Sequence, residues 1–104
     1  MTRQVAPDLP TWTFLSNHGH VLVCLAQEPD IRVRELADRV GITDRTAHLI
    51  INDLVEAGYV SRQKVGRRNR YRVNPRLRFR HPVERDHRIG EMLDLLAGEA
   101  SGKK

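Results

Sequence analysis

Two short apolar stripes, set on either side of a glycine, constrain this chain more than any other feature. Val33, Leu36, Ala37 and Val40 recur at i, i+3, i+4, i+7, and Ala47, Ile50, Ile51 and Leu54 repeat that spacing. Each stripe predicts a helix buried along one side only. Gly41 stands where a residue in the left-handed region ends a helix. Thr43 is suited to cap the next helix, with Asp44 favoured by the dipole at its first position. Helices are therefore expected over Val33–Val40 and over residues 43–57, the second ended by Gly58. The face of the second helix opposite its stripe holds Arg45, His48, Leu49, Asn52 and Glu56.

Upstream, Leu15, His18, Val21, Leu22 and Leu25 share one face of a helix that starts at Thr13 and is stopped by Pro29-Asp30. Downstream, the period falls to two. Tyr71 and Val73 alternate with Arg70 and Arg72, so residues 59–65 and 70–73 read as strands joined by a turn over Gly66–Asn69. The result is a β-hairpin with a basic tip. Pro75 and Pro82 bracket an extended segment containing Arg76, Arg78 and Arg80. A last helix over Glu84–Ala97 aligns Ile89, Met92, Leu93 and Leu96.

Charge is distributed very unevenly. Residues 61–83 carry nine basic side chains (Arg62, Lys64, Arg67, Arg68, Arg70, Arg72, Arg76, Arg78 and Arg80) and no acidic one, whereas residues 1–60 are net −3 and residues 84–104 net −1. All of the overall +5 therefore lies in one segment. An acid-free block of this density is the electrostatic footprint expected for a polyanion. A membrane surface fits it poorly, because the cations lie on a hairpin and not on an amphipathic helix with aromatic anchors.

Two short helices across a tight turn, followed by a hairpin, resemble a winged helix-turn-helix of the MarR type in short form. The resemblance is carried by Leu36, Ala37, Val40, Gly41, Ile42, Ala47 and Ile50, and by the stretch Asp53–Val60 that leads into the hairpin. It implies a mainly α fold with a small β-hairpin wing and a C-terminal helix. On that reading residues 1–11 are a flexible arm, 12–75 a DNA-binding domain, 76–83 a basic extended linker, 84–98 a dimerisation helix and 99–104 a tail. The third helix would enter the major groove, where outward side chains meet base edges. The residues so placed are Arg45, Thr46, His48, Leu49 and Asn52, with Arg45 suited to guanine and Asn52 to adenine. Arg67, Arg68 and Arg70 would meet phosphates or the adjacent minor groove. Arg62, Lys64 and Arg72 would be phosphate contacts borne on the strands. The third helix departs from the family in being net −2, which shifts weight from helix to wing.

The remaining residues narrow the alternatives. The longest apolar run, Val21–Ala26, is too short to span a bilayer. The first residues read as neither signal peptide nor anchor, and Cys24, the single cysteine, allows no internal disulfide. A cytoplasmic protein is expected. No glycine-rich phosphate loop or spaced nucleophile–base pair points to catalysis, and no cofactor is expected. His20 and Cys24 stand at i, i+4 beside His18, as a metal- or thiol-responsive regulator of the ArsR type would need, but a metal site usually needs four ligands and none is predicted. A homodimer is expected through Ile89, Met92, Leu93 and Leu96, with Trp12 and Phe14 joining the seam. The rival reading is a winged-helix module for protein or RNA contact.

Overall fold

The computed structural model describes residues 9–98; the remainder of the expected N-terminal arm, residues 1–8, and the expected tail at 99–104 lie outside the described residues. Helix α1 spans Asn17–Gln27, α2 Val33–Val40, α3 Asp44–Glu56 and α4 Ile89–Leu96, with strands β1 (Val60–Val65) and β2 (Arg68–Val73) between α3 and α4.

The two central helices fall where their stripes and end signals place them. Gly41 takes φ 90° and its N–H donates to the Ala37 carbonyl, closing α2. The Thr43 hydroxyl accepts from the Thr46 N–H at 3.0 Å, opening α3. Ala37 and Ala47 are both wholly buried, and side chains this small let α2 and α3 pack closely. Helix α1 begins at Asn17 and not at Thr13. The reason is the Ser16 hydroxyl, which accepts from the Gly19 N–H and caps the helix there. Thr13 instead donates its hydroxyl to the Leu15 carbonyl at 2.6 Å.

The hairpin is tighter than expected. Val65 pairs with Arg68, so the turn is only Gly66-Arg67, with Gly66 at φ 66°. A glycine leading a two-residue turn matches the twist of the flanking strands. Asn69 is thereby a strand residue opposite Lys64.

The expected linker and the expected first turn of the last helix are also different. Residues 74–88 form a strap folded on itself. Arg78 bridges Arg88 in antiparallel fashion, the Phe79 N–H donates to the His87 carbonyl, and the Ile89 N–H donates to the Leu77 carbonyl. Leu77 and Phe79 pack against the core, so the segment is part of the domain and not a spacer. Helix α4 starts only at Ile89, where the Glu91 carboxylate accepts from the Arg88 N–H at 3.1 Å.

The core joins all of these elements. Val21, Leu25, Leu36, Ile51 and Leu93 are its largest fully buried side chains, and Tyr59, Val60 and Tyr71 close it from the base of the hairpin. The loop between α1 and α2 lies along β2, where the Tyr71 N–H donates to the Pro29 carbonyl at 2.9 Å. Three helices, a hairpin and a closing helix make a winged helix-turn-helix fold. Among the described residues no helix is long and apolar enough to cross a membrane.

Candidate nucleic-acid interface

The buried stripe of α3 turns its other face to solvent. Arg45, His48, Leu49 and Asn52 are exposed there, Leu49 to 56%. Thr46 is placed differently. It is half-buried, and its hydroxyl accepts from the Thr43 hydroxyl at 3.0 Å, so its polar group belongs to the helix cap. Asp53 turns towards α1, where its carboxylate meets His18 Nε2 at 2.8 Å. Part of the negative charge of α3 is therefore held on the side towards α1. His18 is exposed in that contact.

The pleat sorts the wing. Residues opposite each other in an antiparallel pair share a face. Arg62 stands opposite the buried Tyr71 and Lys64 opposite Asn69, whereas Gln63–Arg70 and Val65–Arg68 share the other side. Arg62 therefore points towards the helices, and its Nη2 donates to Asn52 Oδ1 at 2.9 Å. Arg70 forms an ion pair with Asp30, Nε to Oδ1 at 2.8 Å, and Arg68 donates to the Asp30 carbonyl. The Arg70 guanidinium holds the Asp30 carboxyl below its usual range, and Asp30 in turn raises Arg70. The side chains of Arg45, Lys64, Arg67 and Arg72 are exposed and make no hydrogen bond or ion pair among the described residues.

The nine-cation run is thus two structures. Six of its members, Arg62 to Arg72, stand on or beside the wing. Arg76, Arg78 and Arg80 belong to the strap, which packs against Tyr59, whose hydroxyl donates to the Arg78 carbonyl. Arg78 itself donates to the Asp86 carbonyl at 2.8 Å. Arg80 borders a cleft of about 460 Å³ that is also lined by Phe14, His18, Tyr59, Phe79 and Met92.

The α4 stripe is used mainly within the chain. Ile89 and Leu93, expected at a subunit seam, are 3% and 1% exposed and complete the core, and Met92 packs beside them. Leu96 stays half exposed, and Leu95, absent from the predicted stripe, is 84% exposed. Trp12 and Phe14 are exposed and stacked edge to face, with centroids 5.1 Å apart.

Cys24 is buried, and desolvation pushes its thiol up. His20 bonds Asn17 on its own helix. Among the described residues no three His, Cys, Asp or Glu side chains gather as metal ligands would. Sequence reasoning missed Asp30, read only as a helix stop. Its partners are about forty residues away, and no local pattern announces them.

Residues 16–61 match the family model described as winged helix-turn-helix DNA-binding. Among solved structures the chain resembles a MarR family protein of Mycobacterium tuberculosis in complex with salicylic acid, at 23% identity and a TM-score of 0.53. The likeness covers 84% of this chain and 58% of that one, so the chain spans less than two thirds of that protein's length. No curated protein sequence matches the chain.

Proposed function

We propose that this winged helix-turn-helix chain binds double-stranded DNA as a transcriptional regulator, a binding protein and not an enzyme, acting in the cytoplasm. The observation that carries the reading is one continuous surface. The exposed face of α3 is joined by the Arg62–Asn52 hydrogen bond to a wing whose Lys64 and Arg67 side chains have no partner among the described residues. A helix of this size fits the major groove, and Arg45, His48, Leu49 and Asn52 are the side chains that would meet base edges. Lys64, Arg67 and Arg72 would meet phosphates. Arg68 and Arg70 would do so only on leaving Asp30. The pairing of Asp53 with His18 weakens the case for a protein- or RNA-contact module, which rested on the negative charge of α3.

We also propose a homodimer, with its seam moved to Leu95, Leu96, Trp12 and Phe14, since Ile89 and Leu93 are spent in the core. Selection of duplexes from a random pool at about 150 mM salt, where weak electrostatic binding is screened, tests both proposals. The expected result is a palindrome with half-sites about ten base pairs apart. A dimer that neutralises about eight phosphates should show a log–log salt slope of roughly −7. Recovery of no motif with a steep slope would reduce the function to backbone binding. No retention of duplex would overturn it in favour of a protein or RNA partner.

A further inference from the structure

The apolar residues of α3 divide unequally. Ala47, Ile50, Ile51 and Leu54 are buried and Val55 is half-buried, whereas Leu49 is 56% exposed. Thr46, whose methyl group could serve a similar purpose, is half-buried with its hydroxyl in the cap. Leu49 is therefore the large apolar side chain that α3 turns to solvent. Its place on that face is central. Arg45, Leu49 and Asn52 repeat as i, i+4, i+7 and line up opposite the buried stripe. Leu49 is the middle member, about one turn from each of the others.

In the major groove this middle position restricts what can lie beneath it. Docking dehydrates the base edge that the side chain covers. A leucine can neither donate nor accept a hydrogen bond, so any amino group, ring nitrogen or carbonyl oxygen under it loses water and gains no partner. Guanine presents O6 and N7 in the groove, adenine N6 and N7, and cytosine its N4 amino group. Thymine alone adds a C5-methyl group. A methyl group against a leucine removes apolar surface from water on both sides of the contact.

We propose that Leu49 is a specificity-determining residue that seats on the C5-methyl group of a pyrimidine. The base facing the middle of α3 is then thymine. By the same chemistry the position takes 5-methylcytosine in preference to cytosine, which makes binding responsive to methylation there. The inference rests on the reading of α3 as the groove helix.

Base replacement in the selected duplex tests it. Deoxyuridine differs from thymidine only in lacking the methyl group. Replacing the thymines of one half-site one at a time should reveal one position where the wild type loses affinity about fourfold. Leu49→Ala should bind the thymine and uracil duplexes equally at that position. Leu49 is exposed and alanine favours a helix, so this variant should fold as the wild type does. Arg45→Ala should weaken binding yet keep the fourfold ratio. With cytosine–guanine at the position, methylation of that cytosine at C5 should raise wild-type affinity about fourfold. A half-site without thymine, or one in which every thymine can be replaced at no loss, would overturn the proposal. So would a loss that persists undiminished in Leu49→Ala, since the methyl group would then act through the shape of the duplex. Absence of any selected motif would instead overturn the groove reading itself, so the two failures are distinguishable.

Discussion

The wing and the strap are consecutive, extended and rich in arginine, yet they hold their cations differently. In the wing, the backbone is satisfied by the β1–β2 ladder, and the pleat assigns each side chain a direction. Arg62 goes to α3, Arg68 and Arg70 go to Asp30, and Lys64, Arg67 and Arg72 face solvent. In the strap, the backbone bonds are scattered among Tyr59, His87 and Ile89, and the apolar residues between the arginines, Leu77 and Phe79, dock on the core. Charge density marks a surface for a polyanion, but the backbone pairing decides which cations stand on it.

Five variants break or sharpen this contrast. The largest effect should come from Gly90→Ala. A Cβ there would meet the Pro75 carbonyl oxygen and Cβ, both at 2.9 Å, and overpacking of this kind costs about 1–3 kcal/mol. Urea unfolding should show the loss, while the salt slope of duplex binding by the folded fraction stays unchanged. An altered slope would mean that the strap takes part in binding.

Next is the wing tip. Lys64→Ala with Arg67→Ala should weaken duplex binding about tenfold at 150 mM salt and flatten the salt slope by about 2 per protomer. Arg76→Ala with Arg80→Ala, equal in charge, should do neither. Equal effects from the two pairs, measured by fluorescence anisotropy, would remove the distinction between wing and strap.

Tyr59→Phe deletes the hydrogen bond that ties the strap to the body. It should cost about 1 kcal/mol in urea unfolding and leave duplex affinity as it was. A change in affinity without a change in stability would be the contrary result.

The smallest effect belongs to Asp30→Asn. Exposed ion pairs contribute little to stability, so unfolding should hardly change. Release of Arg70 should nevertheless steepen the salt slope by about 1 per protomer. A slope that stays the same would mean that Arg70 does not reach phosphate even when free. The pH dependence has a definite sign. Because Arg70 lowers the Asp30 carboxyl in the folded chain, this contribution to stability is complete above the ordinary value of 3.8 and is lost only as pH falls through the lowered one. A titration from pH 8 to 5 should leave the Arg70–Asp30 pair intact.

Local structure is legible in the sequence where residue types speak for themselves. Helices α2 and α3 are legible because their stripes agree with Gly41, which closes α2, and with Thr43, which caps α3. The exposed face of α3 followed from the same period, and it correctly collected Arg45, His48, Leu49 and Asn52. Two errors are local: Ser16 and Glu91, each bonding a backbone N–H three residues away, set the starts of α1 and α4 in place of Thr13 and Glu84. The others fall where a distant partner decides. The stripe of α4 shows that Ile89 and Leu93 are to be buried, but not whether by the same chain or another. The contacts Arg62–Asn52, Arg70–Asp30 and His18–Asp53 join residues 10, 40 and 35 positions apart. They depend on strand register and helix packing, which periodicity does not supply.

The hairpin is moored to the body chiefly along one margin, with the Arg62–Asn52 hydrogen bond as a tie on the other. At the base of β2 the Tyr71 amide holds the Pro29 carbonyl, and further out Arg68 and Arg70 reach Asp30. On the β1 side, the strand beyond Val60 is exposed throughout. A ribbon tethered in this way behaves as a lever whose fulcrum is the loop between α1 and α2. Its tip should open far more often than the whole domain unfolds, with amide exchange fastest around Gly66 and slowing towards Tyr71. Stiffening or loosening that loop would change how freely the lever swings without altering the surface it carries.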